Sequence, residues 1–132
     1  MNLDTSKPIK SVSYNGVDVP LAAQPELLWT NASPTSAFAA QKMTMPAGYD
    51  GYLIEAIGYA SYTLKYVEYY SRNESKFFTT SATDLLSSIR SVRAINIDGD
   101  TIDFGGCYVD TGYVNNQYTL PLRIWGVKFT LD

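Results

Sequence analysis

Short alternating runs of apolar and polar residues, broken every ~8–12 residues by turn chemistry, govern what this chain can become. The clearest instance is Ser13-Tyr14-Asn15-Gly16-Val17-Asp18-Val19. Asn-Gly between two alternating runs is the strongest short-range hairpin signal, because a type I′ turn needs positive φ at both central residues. Pro20 and Pro25 then exclude a long regular element, and residues 27–30 and 41–45 read as short strands. Residues 52–57 are apolar on both faces apart from Glu55, which suits a central strand of a layered sheet. In residues 61–70, Tyr62, Leu64, Tyr66, Glu68 and Tyr70 fall on one face, and Thr63, Lys65, Val67 and Tyr69 on the other.

Residues 71–75 read as a turn, which predicts that 76–80 pairs with the strand before it. Thr83-Asp84 has the chemistry to cap a helix of a turn or two, with Leu85, Leu86 and Ile89 along one side. Residues 89–97 alternate as a strand, Asp98-Gly99 turns the chain, and Gly105-Gly106 predicts a bulge before Cys107. A polar loop over 110–117 leads into a last long run, 118–131. With no repeat and no linker, residues 1–132 form a single all-β domain, sandwich or barrel, with at most one short helix. Residues 1–25 supply an N-terminal hairpin or extension.

The chain has no histidine, so Ser-His-Asp and Cys-His nucleophile systems and the usual zinc sites are excluded. One cysteine cannot make an intramolecular disulfide, and Cys107, set in a strand, reads as a buried thiol. A net charge of −3 without a basic stripe argues against a nucleic-acid partner. No apolar run reaches the ~20 residues of a membrane span, and the N-terminus lacks the pattern of a secretory signal. The expectation is synthesis in a reducing cytosol. Asp98, Asp100 and Asp103 cluster near a glycine, a loose calcium-loop look that an ordinary turn shares, and no cofactor is expected. Glu55 and Glu68 are available for a carboxylate-only hydrolase, although a strand glutamate is usually a solvated or edge charge.

Eleven tyrosines are many for this length. Tyr66, Tyr69 and Tyr70, with Tyr113 in the late polar loop, are the candidate ligand-binding residues: exposed rings stack on sugars while nearby polar groups take the hydroxyls. The same rings serve equally as cross-strand packing or as a subunit interface.

Two stretches carry a family likeness. Leu28-Trp29-Thr30-Asn31, Pro34-Thr35-Ser36-Ala37-Phe38-Ala39-Ala40-Gln41 and Tyr49-Asp50 follow one another within residues 26–56, and Pro121 to Phe129 reads PLRIWGVKF. Together they resemble small structural proteins of tailed bacteriophages and prophages, particularly those of Gram-positive and gut bacteria. The likeness covers most of the chain from Glu26 onward, and its motifs are structural rather than catalytic. Residues 61–82 lie outside it and are where individual specificity is expected.

The resemblance implies a non-enzymatic virion component of tail-fibre, receptor-binding or head-fibre type. It implies a compact, jelly-roll-like antiparallel β-sandwich, commonly a homotrimer, that meets other virion proteins and a host surface glycan. It also makes Trp29 a core anchor and 31–36 a turn between strands. A carbohydrate-binding (lectin-like) or capsid-decoration domain is the alternative, and a small hydrolase a third reading.

Overall fold

Alternation and turn chemistry resolve into ten antiparallel strands among the residues that the computed structural model describes: 10–14, 16–21, 23–59, 65–83, 88–109, 112 and 114–129. They are β1 (Ser11–Tyr14), β2 (Val17–Pro20), β3 (Glu26–Thr30), β4 (Gln41–Thr44) and β5 (Gly51–Tyr59). Then come β6 (Lys65–Ser71), β7 (Ser75–Thr83), β8 (Ser88–Asp98), β9 (Thr101–Val109) and β10 (Tyr118–Val127). One four-stranded sheet has the order β3-β10-β5-β6, the other β4-β9-β8-β7, and β1 and β2 form a separate hairpin. The fold is an all-β antiparallel sandwich. The pairs β3–β10 and β4–β9 are nested as in a jelly roll, while β5–β6 and β7–β8–β9 close as local hairpins.

Tyr14 pairs with Val17 around Asn15-Gly16, and Gly16 has the positive φ (79°) that the hairpin turn needs. Arg93 pairs with Cys107 and Ile95 with Phe104, so Ala94 faces both Gly105 and Gly106: the bulge forms where the glycine pair predicts it. A methyl on Gly105 would press on Ala94 at 3.2 Å.

The pairing expected across residues 71–75 does not form. β7 pairs with β8 in the second sheet, and the chain at Arg72 and Asn73 is a corner from one sheet to the other. Gly99 N donates to Arg72 O (2.8 Å) and the Arg72 guanidinium bonds Asp100 (2.9 Å), which ties the corner to the β8–β9 turn. Thr83 belongs to β7 and Ile89 to β8, so neither end of the expected short helix is helical, and residues 84–87 between them lie outside the described residues.

Between the sheets lies an aromatic-aliphatic core. Trp29, Phe38 and Phe104 meet edge to face or tilted, with centroids 5.3–6.4 Å apart, and Tyr70 stacks on Phe78 across the sheets at 6.4 Å. Trp29 is thus partly buried against the core, with Phe38 beneath it. β5 is buried on both faces, since a second cluster covers its outer side. There Val12 of the hairpin seals Leu53, Tyr69, Trp125 and Val127, with Leu21 and Phe129 at the rim. The sandwich therefore has a third, partial layer.

Candidate functional site

Among the described residues the hairpin covers one end of that outer face. The other end is an open cleft of about 410 Å³. Its floor is the one charged residue of β5: Glu55 sits in the row Thr30–Arg123–Glu55–Val67 that crosses β3, β10, β5 and β6. Glu55 is 0% exposed, and both its oxygens accept from Arg123, from Nε at 2.8 Å and Nη2 at 3.1 Å. The Arg123 guanidinium also lies over Trp125, 5.1 Å from the ring centroid. A carboxylate in this apolar strand is tolerable because a planar fork satisfies it from the next strand.

Local backbone irregularity makes the cleft. Pro121 has no N–H to give a neighbour, yet it lies in β10, a central strand. The register shifts between Pro121 and Arg123, so the missing donor falls at a bulge. Asn31, just beyond β3, fastens onto that bulge: its Nδ2 donates to Pro121 O (2.9 Å) and its backbone N to Leu122 O (2.8 Å). Its Oδ1 accepts from Ser33 N (2.8 Å), an Asx turn that opens the 31–36 turn implied by the resemblance. Pro34 and Thr35 of that turn form one wall, Leu122 and Ile57 the apolar part, and Lys65 at the start of β6 the far rim.

The sequence candidates fall elsewhere. Tyr69 and Tyr70 point to opposite faces of β6 and are 7% and 0% exposed. Tyr69 lies over Gly51 and beside Phe129, where a methyl on Gly51 would overlap the Tyr69 ring. Tyr70 is a core ring whose hydroxyl donates to Glu68 at 3.4 Å, and burial raises its pKa. Tyr66 is half-buried on the inner face and donates to Ser81 O (3.2 Å). Tyr113 lies outside the described residues. No two of the three described tyrosines share an open surface, and none lines the cleft.

Glu68 pairs in register with Ile54, on the opposite face of the sheet from Glu55. The two carboxylates cannot flank one substrate. Asp100 is taken by Arg72, and among the described residues no three His, Cys, Asp or Glu side chains gather to hold a metal ion.

A buried cation on β8 has a structural task. Arg93 is 0% exposed and donates only to backbone carbonyls: Phe38 and Gly105 from Nη1, Thr119 from Nε, Asn116 and Tyr118 from Nη2. Burial pulls its pKa down to about 10, so it stays charged at neutral pH. Beside it Thr80, Ser91 and Thr119 hydroxyls bond one another at 2.7–3.2 Å, with Thr119 at φ 40°. Cys107 is buried against this group, and burial pushes its thiol pKa up, so it is an inert thiol.

The outer face of the second sheet carries a smaller depression of about 180 Å³ lined by Arg90, Val92, Tyr108 and Val109. It contains no buried charged group. No protein-family model, no curated protein and no solved structure matches this chain.

Proposed function

We propose that the chain is a non-enzymatic binding and assembly module of a bacteriophage virion, a fibre or receptor-binding subunit that works as a homotrimer and touches the host surface through the cleft. The observation that carries this reading is where the two phage-like stretches come together. Thr30, Asn31, Pro34, Thr35 and Glu55 come from the first stretch, Leu122 and Arg123 from the second, and they build one cleft. Lys65 comes from residues 61–82, the stretch outside the likeness, and adds an element of individual specificity. The cleft's own carboxylate is held by two hydrogen bonds from Arg123, which suits holding a ligand and leaves it a poor general base.

Light scattering after gel filtration tests the assembly half. A mass three times 14.6 kDa is expected, and a monomer would remove the fibre reading. Fluorescently labelled protein on bacterial cells tests the adsorption half, with retention through washing as the expected result. A monomer that retains cell binding would instead favour a second reading, a free lectin-like domain.

A further inference from the structure

We infer that two copies of the chain join through the open edge of β7, strand to strand, about a two-fold axis at Phe77. The inference goes beyond the reading above and needs neither the cleft nor the three-fold assembly.

β7 is the last strand of its sheet among the described residues, so one of its sides is committed to β8 and the other has no strand beside it. Main-chain hydrogen bonds show which residues serve which side. Ile97 N donates to Glu74 O and Gly99 N to Arg72 O, both at 2.8 Å, and both pairs continue the β7–β8 register. The even-numbered residues of the strand therefore turn their N–H and C=O toward β8. The odd-numbered ones, Ser75, Phe77, Thr79 and Ser81, turn theirs to the edge. The Tyr66 hydroxyl agrees from the other sheet, since it reaches Ser81 O at 3.2 Å. The run from Ser75 to Thr79 thus offers its amides and carbonyls outward.

Edges that stay single are blunted by an outward charge, a proline or a bulge. β7 pairs with β8 residue for residue from Ser75 to Thr83, and its sequence, SKFFTTSAT, contains no proline. Its one charge, Lys76, is on the inner face, where Nζ donates to Tyr69 O (2.7 Å) and lies 4.5 Å from the Tyr70 ring centroid. The exposed ring is Phe77, at 64%.

The edge fits a second copy because β7 is complementary to itself. With Phe77 opposite the partner's Phe77, Ser75 falls opposite the partner's Thr79, Lys76 opposite the partner's Phe78 and Glu74 opposite the partner's Thr80. No charge meets a like charge. The odd-numbered pairs exchange about six main-chain hydrogen bonds, and the two rings form a cross-strand aromatic pair. The nine residues of β7 span ~30 Å, and a sandwich wall ~20 Å thick gives roughly 600 Å² per copy, or about 1,200 Å² in total. That clears the ~1,000 Å² of a specific interface and lies at the weak end, so pairing follows concentration. A two-fold contact of this kind closes on itself and builds no filament.

Light scattering of the full chain over a dilution series up to ~1 mM is the test. The mass is expected to double with concentration, from three chains to six or from one to two. Phe77→Lys sets like charges opposite each other at the axis, and Thr79→Pro removes an edge N–H that β8 does not use. Each should abolish the doubling and keep a melting temperature near wild type. Oxidised Phe77→Cys should cross-link in pairs, whereas Ser81→Cys, opposite the partner's Asn73, should not; the native Cys107 is buried. Doubling retained by both charge and proline variants would overturn the inference. A three-chain mass that never doubles would leave the edge to a strand of another protein, overturning the inference and keeping the assembly reading. Doubling from one chain to two would support the inference and remove the three-fold. A single chain at every concentration would remove both.

Discussion

Glu55 and Arg123 face each other across β5 and β10 in a two-point ion pair, at 2.8 and 3.1 Å, with the carboxylate wholly inside and the guanidinium reaching the cleft. The pair is asymmetric in its exposure, and so are the consequences of breaking it. Arg123→Met strands a buried carboxylate and should cost about 3 kcal/mol. The double change Glu55→Leu with Arg123→Met removes both charges and should recover most of that loss. Urea unfolding of the wild type, both single variants and the double variant closes the cycle. Additive losses would show that the pair is not coupled.

Arg93 holds five carbonyls from four segments: the β3–β4 loop, β9, the β9–β10 loop and β10. Arg93→Met should destabilise the fold by about 3–5 kcal/mol, since buried acceptors lose their donors. Arg93→Lys should recover little, because an ammonium cannot reach five acceptors as a planar fork does. A melting temperature of the Lys variant close to wild type would refute the fork argument.

Gly126 of β10 lies directly under the Tyr49 ring, and Tyr49 donates its hydroxyl to Glu26 on β3. A methyl at Gly126 would overlap that ring, so Gly126→Ala should cost about 1–3 kcal/mol through overpacking. Thermal denaturation checks it, and an unchanged melting temperature would mean that Tyr49 swings away freely.

Glu68 is half-buried on the inner face, and burial raises its pKa above the ordinary 4.5, with Lys76 opposing the shift. A carboxyl whose pKa is raised on folding favours the native state at low pH, and that contribution fades as pH rises through the folded value. Glu68→Gln should therefore stabilise the protein at pH 7 by less than about 1 kcal/mol, solvent screening included. Below pH 4.5 the difference should vanish. Unfolding curves of both proteins across that range decide the matter, and a variant less stable at pH 7 would make the Lys76 pairing dominant.

Local structure was legible in the residues themselves. Asn15-Gly16 gave the hairpin and Gly105-Gly106 the bulge, and the two-residue period assigned the faces of β6 as found. Strand partnership was not legible, because alternation says which side chains turn inward and nothing about which sheet receives them. The corner at Arg72 and Asn73 therefore looked like a hairpin turn. The tyrosines misled for a reason already in the sequence: Tyr69 and Tyr70 are neighbours in a strand and must point apart. Two signals did mark the cleft, a glutamate inside an apolar central strand and a proline inside an apolar run. Both break a local rule, and Glu55 with Arg123 and Pro121 with Asn31 show what each break is compensated by.

The strand order also imposes a timetable on synthesis. β3 has its partner in β10, and Asn31 and its Pro121 anchor are 90 residues apart in the chain. At ~5–20 residues per second, the β3 edge waits roughly 5–20 s for its neighbour to leave the ribosome. The hairpins β5–β6 and β7–β8–β9 form meanwhile, and the cleft is completed last. Ribosome-bound chains halted before Tyr118 should accordingly be cut by protease near β3, and the same bonds should resist once β10 has emerged.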